Sequence, residues 1–388
     1  MNDKKYCEQI IEEIVHDDNI NYIAFAITKF HAIGVMSSIL YLKSEGIHLN
    51  GTIYIGEHAI TGCHLQKEDF LIDDSISNIS VCFGESTFRL RRGLMTKYNS
   101  YFSRIKKSNR RIYIVCVNPL FGLVEELKKH GIECVLICID DGTATYLNPY
   151  VTSLQYCETQ RKNNELYQMI YKGGSLLKTY LITRRKKQFI NNNRLIEFYL
   201  FHESDGMLKR NDKYAKFYLE ALKIHNKVED IEQLHSCILI NTQCFKECNM
   251  TDGIVDFILY KKAINIIKKF NSNVVIKPHP RELGYDKYSE MNCVVLKKVN
   301  YTQEEMLASL DVNDLPKCII SVSSSTLLNA SGIFGIPAIS LAKIFQNEDI
   351  SNGMRDHNND YIKQYENMIQ IPNNFEEFEQ LIKLYCHN

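Results

Sequence analysis

The sequence predicts an α/β chain built on parallel, doubly wound sheets and divided into two domains. Short apolar, β-branched runs alternate with helical stretches almost from end to end, among them Tyr22–Thr28, Ile112–Val117 and Cys134–Ile139. These runs are apolar throughout rather than at every second residue, which marks strands covered on both faces. At 388 residues the chain exceeds what one ordinary core organises.

Taken in order, Met1–Asp18 is charged and polar, so a cytoplasmic protein without a secretory leader is expected. Tyr22–Leu42 is the most apolar stretch, but Lys29, His31, Ser37 and Ser38 interrupt it. It reads as a strand, a turn and an amphipathic helix rather than a membrane span. Strands are predicted at Tyr22–Thr28, Thr52–Ile55, Ile79–Phe83, Ile112–Val117 and Cys134–Ile139, with helices at Ala32–Ser44, Gly93–Lys107 and Pro119–Lys129. Pro119 suits a first helical turn, and Gly131 suits a C-terminal cap.

Ser153–Asn192 is long, polar and basic, helical in character and without clear strands. Alternation then resumes, with strands at Ile238–Asn241, Val274–Ile276, Cys293–Leu296, Cys318–Ser321 and Ala338–Leu341, and helices at Ile254–Phe270, Gln303–Ser309 and Leu327–Phe334. Asn374–Tyr385 reads as a closing amphipathic helix. The division expected is two Rossmann-like domains, 1–192 and 193–373, and a closing helix over 374–388. Ligands are expected in a cleft between the domains.

Lys and Arg total 46, as do Asp and Glu, so no global field points to nucleic acid. The 13 cysteines are scattered without a CxxC, and Cys82, Cys116, Cys134, Cys138, Cys237 and Cys318 lie within apolar strands. Reduced, buried thiols fit this usage better than a disulfide frame or a zinc ribbon. His58 and the pair Cys63–His64 have no second cluster to answer them, so neither a metal nor a cofactor is expected.

Three motifs sit at predicted strand ends. Lys277-Pro278-His279-Pro280-Arg281 follows a buried strand; neither proline can donate to a sheet ladder, so the strand stops with a histidine held between them. Lys277, His279 and Arg281 make that end an anion site, where open α/β sheets bind ligands. Asp140-Asp141-Gly142 follows Cys134–Ile139. Adjacent carboxylates repel, and a raised pKa in one of them suits a general base. Ser321-Val322-Ser323-Ser324-Ser325-Thr326 aims several hydroxyls at the start of a helix whose free N–H groups favour an anion.

IDDGTATY, IKPHPRE and SVSSST over 139–146, 275–282 and 321–326 resemble the D/E-D/E-G, HP and Ser/Thr motifs of bacterial sialyltransferases of GT-B fold. AITKFHAIGVMSSIL is similar to their first βα unit. KPHP followed by Arg281 and Glu282, and GTxTY after the acidic pair, are closest to the capsular polysialyltransferases, although that subfamily usually has Glu-Glu-Gly where this chain has Asp140-Asp141-Gly142. The resemblance implies an inverting, metal-independent transfer of sialic acid from CMP-sialic acid to a glycan, elongating polysialic acid or another anionic capsule or surface glycan. By position it makes Asp141 the base, with Asp140 assisting. It sets His279 with Ser323, Ser324 and Ser325 against the CMP phosphate, with Pro280 and Lys277 also on the donor side. Thr242 and Gln243, after strand Ile238–Asn241, face the same cleft by topology and are expected near the nucleotide or sugar.

Charge patterning bears on the acceptor. From Glu85 to Arg111 nine basic residues, including Arg89, Arg91 and Arg92, meet one acidic residue. From Arg161 to Lys187 eight more, ending in Arg184, Arg185, Lys186 and Lys187, meet only Glu165. Such stripes suit a polyanionic glycan, and an anionic inner-membrane face is a second partner they fit. The alternatives are another GT-B transferase, using CDP-glycerol or a UDP-sugar, and a non-catalytic binder of nucleotide or polyanion.

Overall fold

The computed structural model describes residues 3–56, 65, 70, 79–84, 110–117, 120–140, 150, 165–191, 195–200, 210–224, 228, 231–248, 250–271, 273–297 and 301–387. Two parallel sheets organise the chain into two units.

The first sheet contains β1 (Tyr22–Ala26), β2 (Gly51–Gly56), β3 (Ile79–Gly84), β4 (Arg111–Cys116), β5 (Glu133–Ile139) and β6 (Leu195–Phe198). Its order is β3-β2-β1-β4-β5-β6 with every pairing parallel, the Rossmann order. All of β1 is buried, and so is β5 from Cys134 onward, which is why both read as unbroken apolar runs. The sixth strand was not expected. Leu195–Phe198 offers only four residues as a signal, and its place comes from pairing with β5. It lies beyond residue 192, and the first unit includes 185–202 and 208–225.

The first unit also contains α1 (Asp3–His16), α2 (Lys29–Ser44), α3 (Phe121–Lys129) and α5 (Asp212–Ile224), while α4 (Glu165–Asn191) belongs to it only from Arg185. The polar N-terminus is a helix because Ile10, Ile11, Ile14 and Val15 form one buried stripe. Thr28 caps α2 by accepting the His31 amide at 3.3 Å. The amphipathic helix expected there is instead buried on most sides. One face meets the sheet, and the other meets α5, where Phe30 lies against Tyr218 and Tyr41 against Phe217. Gly34 marks the tightest approach: a Cβ there would stand 3.0 Å from Ile139 Cδ1 and 3.0 Å from the Tyr214 hydroxyl. Gly131, with φ +76°, ends α3 as expected. The helix expected at Gly93–Lys107 and the residue Pro119 lie outside the described residues.

The second sheet contains β7 (Ile238–Asn241), β8 (Val274–Lys277), β9 (Val294–Val295), β10 (Cys318–Ser321) and β11 (Ala338–Ser340), in the parallel order β11-β10-β7-β8-β9. The chain runs outward from β7 to β9, then returns to lay β10 on the other side of β7. The switch point therefore falls between β7 and β10. β9 is shorter than expected: it is an edge strand entered from the left-handed residue Asn292.

Helices α6 (Val255–Ile267), α7 (Gln303–Ala308), α8 (Ser325–Phe334), α9 (Ala342–Phe345), α10 (Asn352–Tyr365) and α11 (Phe375–His387) complete this unit. α10 was not expected, because Met354, Tyr361, Ile362 and Tyr365 make a sparse apolar stripe in a polar segment. The closing helix α11 places Phe378 and Ile382 in the same core as Ile240, Ile276 and Ile320 of the sheet.

Candidate functional site

In the second unit, three neighbouring strands deliver the predicted residues to one end of the sheet. β7 leads to Thr242 and Gln243, β8 to His279, and β10 to the serine run. Parallel pairing sets these carboxyl ends side by side around the switch point.

The His279 turn is held from beneath. Its backbone N–H donates to Thr242 Oγ1 at 3.1 Å, and the Thr242 hydroxyl donates to Glu282. Glu282 is 1% exposed and also accepts from the Tyr288 hydroxyl at 2.6 Å, with Lys287 Nζ at 3.3 Å. Lys287 in turn lies 3.6 Å from the buried Asp256. Burial, then the Glu282 carboxylate, push the Tyr288 hydroxyl far above its ordinary pKa, so it remains a donor. The Arg281 N–H donates to His279 Nδ1 at 3.1 Å. A nitrogen that accepts carries no proton, so the ring proton of neutral His279 sits on Nε2, which makes that nitrogen the donor of the ring.

Thr242, expected to touch donor, is 2% exposed, with its hydroxyl engaged by Glu282 and the His279 amide. It positions the histidine. Gln243 donates to Ser321 Oγ at 3.2 Å, and Ser321 donates to the Asn241 carbonyl at 2.8 Å, which ties β10 to β7 beyond the ladder. Burial raises the Glu304 carboxyl above its ordinary pKa, and the Asn329 hydrogen bond and, to a smaller extent, the charge of Lys277 offset only part of that shift. Pro280 is exposed at the tip of the turn.

Ser324 caps α8 in extended backbone, and its Oγ accepts the Thr326 amide at 3.3 Å. Asn241 Nδ2 donates to Thr326 Oγ1 at 3.0 Å and also to Gln303. Thr326 Oγ1 lies 2.8 Å from Ser324 Oγ. With Asn241 donating to it, Thr326 can donate to Ser324, which leaves the Ser324 hydroxyl hydrogen for a ligand. Among the described residues, the Ser323 and Ser325 side chains make no hydrogen bond. This end of the sheet thus gathers an imidazole donor, serine hydroxyls and a helix N-terminus, a combination suited to an anionic phosphate.

In the first unit, Asp140 follows β5 and is 2% exposed, accepting the Leu200 N–H at 3.3 Å. It joins the end of β5 to the chain leaving β6. Asp141 lies outside the described residues, as do Arg89, Arg91, Arg92, His58, Cys63 and His64. Arg184 is exposed on α4, whose last turns carry Arg185, Lys186 and Lys187.

Sequence reasoning gave no role to Asn241, Glu282, Tyr288, Gln303 or Lys287. Only Glu282 carried a signal, its place two residues after Pro280.

A family model described as alpha-2,8-polysialyltransferase (POLYST) matches residues 85–343. The chain belongs to the alpha-2,8-polysialyltransferase family. This polysialyltransferase is thus a glycosyltransferase, and its two Rossmann-ordered units are those of the GT-B class. No curated protein matches the chain. Among solved structures, it is similar to an alpha/beta-galactoside alpha-2,3-sialyltransferase of Photobacterium phosphoreum, at 12% identity and TM-score 0.47, over 91% of this chain and 99% of that one. It is also similar to a UDP-GlcNAc 2-epimerase of Methanocaldococcus jannaschii, at 12% identity and TM-score 0.42, over 95% of this chain and 100% of that one.

Proposed function

We propose that this polysialyltransferase moves sialic acid from CMP-sialic acid to an anionic glycan, with inversion and without a metal, and so elongates a capsular or other surface polysaccharide. What supports this reading most directly is the pairing of His279 with the serine-capped start of α8 on either side of the switch point, in a chain of this family. The leaving group is then the CMP phosphate. Its oxygen takes the electron pair as the bond to the anomeric carbon breaks, while His279 Nε2–H and the hydroxyls of Ser324, Ser323 and Ser325 stabilise the charge. Asp141 takes the proton of the acceptor hydroxyl, whose oxygen forms the new bond. One such in-line displacement inverts the anomeric centre.

The test is incubation with CMP-sialic acid and a panel of sialylated acceptors without divalent metal, which is expected to yield extended glycan and free CMP. Asp141→Asn is expected to abolish nearly all transfer while CMP binding persists. Absence of both product and CMP release across the panel, or full activity in Asp141→Asn, overturns the reading.

A cytoplasmic enzyme held peripherally at an anionic inner-membrane face is part of the same proposal. Among the described residues no helix is long and apolar enough to cross a membrane. α4, however, exposes Met169, Ile170, Leu177 and Leu181 on the helix that carries Lys172, Lys178 and Arg184. Apolar contact combined with cationic attraction is how such helices lie on anionic lipid. Co-sedimentation with phosphatidylglycerol vesicles, lost at high salt, is expected; equal recovery on neutral vesicles refutes the electrostatic part.

A further inference from the structure

The turn that follows β7 carries two cysteines one helical turn apart. The Cys248 N–H donates to the Cys244 carbonyl at 3.0 Å, and the two sulfurs lie 3.6 Å apart. One helical turn separates Cα atoms by about 6 Å, inside the range of about 4.4–6.8 Å that a disulfide spans. Cys244 is buried, whereas Cys248 is half-buried and reachable from solvent.

The segment is docked on the His279 turn, since the Leu283 N–H donates to Glu247 Oε1 at 2.7 Å. The charged groups facing Cys248 are Arg281 and Glu247. The Cys244 hydrogen bond and Arg281 pull the Cys248 thiol down to about 7, against burial and Glu247. The same hydrogen bond, then burial, push the Cys244 thiol up. One sulfur is thus the thiolate that reacts, and the other holds its proton in reserve.

We propose that Cys248 is a hydroperoxide-reactive thiol that closes a reversible disulfide with Cys244 and thereby disturbs the Arg281 side of the His279 turn. The Cys248 thiolate attacks one peroxide oxygen and becomes a sulfenic acid, releasing hydroxide. The Cys244 thiol then displaces that oxygen as water, forming the S–S bond. Two electrons pass from the sulfurs to the peroxide. The sulfurs close to about 2.05 Å, and Arg281 loses its thiolate partner. The covalent step stands without the donor assignment; only its effect on the turn rests on the proposed phosphate site.

The full-length protein is treated with hydrogen peroxide, alkylated with iodoacetamide and digested with trypsin, which cuts after Lys246 between the two cysteines. The expected result is one dithiothreitol-sensitive cross-linked peptide pair, with fragmentation assigning the bond to Cys244 rather than to Cys237 of the same peptide. Cys248→Ser is expected to lose the pair. Cys244→Ser is expected to leave a sulfenic acid at position 248 that dimedone traps. Alkylation of both thiols after peroxide, or earlier oxidation of another cysteine, overturns the proposal. CMP titration of the oxidised wild type is expected to show weaker binding, restored by dithiothreitol. Unchanged affinity overturns the effect on the turn, whereas a reduced protein that binds no CMP refutes the donor assignment and leaves the disulfide result intact.

Discussion

His279→Ala is expected to lower transfer about 100- to 1,000-fold, the range measured when one donor to a developing oxyanion is removed. The ring is not a loose surface group. Its backbone N–H is anchored on Thr242, and the Arg281 N–H holds Nδ1 in the accepting state, so the ring is kept in one tautomer with its proton on Nε2. A donor fixed in this way costs no reorganisation when charge gathers on the proposed leaving phosphate. CMP affinity is expected to fall as well, because the product keeps the phosphate charge. Asp141→Asn should show the opposite division, with turnover lost and CMP binding kept. Steady-state kinetics beside calorimetric CMP titration separate the two, and a His279→Ala enzyme with wild-type kcat and CMP affinity would remove the histidine from the mechanism.

Glu282→Ala is expected to destabilise the second unit by about 3–5 kcal/mol, the cost of leaving a buried charge network without one partner. The carboxylate takes hydrogen bonds from Thr242 and Tyr288 and lies beside Lys287. Its removal strands two buried hydroxyls and leaves Lys287 with Asp256 as its remaining carboxylate among the described residues. Urea denaturation followed on the second unit's transition checks this, and a loss below about 1 kcal/mol would show that the network contributes little. Below that transition the variant should also transfer more slowly, since Thr242 loses the acceptor that orients its hydroxyl toward the His279 amide. Thr242→Val isolates that contribution.

What could be read before the fold was known depended on how each residue was buried. β1, β5, β7, β8 and β10 were legible because parallel strands covered on both faces must be apolar along their whole length. α1 and α10 were not, since each buries a narrow stripe in a charged or polar segment. α2 was legible as a helix but not as a buried one, because the partner on its outer face, α5, is distant in sequence. The site followed the same division. His279 and the serine run were conspicuous because proline stops a strand and a serine run starts a helix. Glu282 carried no more than its place beside the HP turn, and Asn241 read as the last residue of an ordinary strand.

The sequence by itself determined that this protein is a two-sheet α/β chain with a histidine–proline turn, a serine run and an acidic pair at strand ends. Local chemistry sets both: side-chain volume and polarity decide which runs are buried, and proline and serine decide where those runs stop. Only the tertiary structure decided which strand ends become neighbours and which polar groups face inward. β10 returns to the side of β7, which brings the serine cap of α8 to the same end of the sheet as the histidine turn, with β7 between them. Thr242, equal in composition to any ligand-facing threonine, turns inward to Glu282 and the His279 amide. The physical reason is that a buried polar group must find a partner, and that partner is chosen by the packing of distant segments rather than by sequence neighbours.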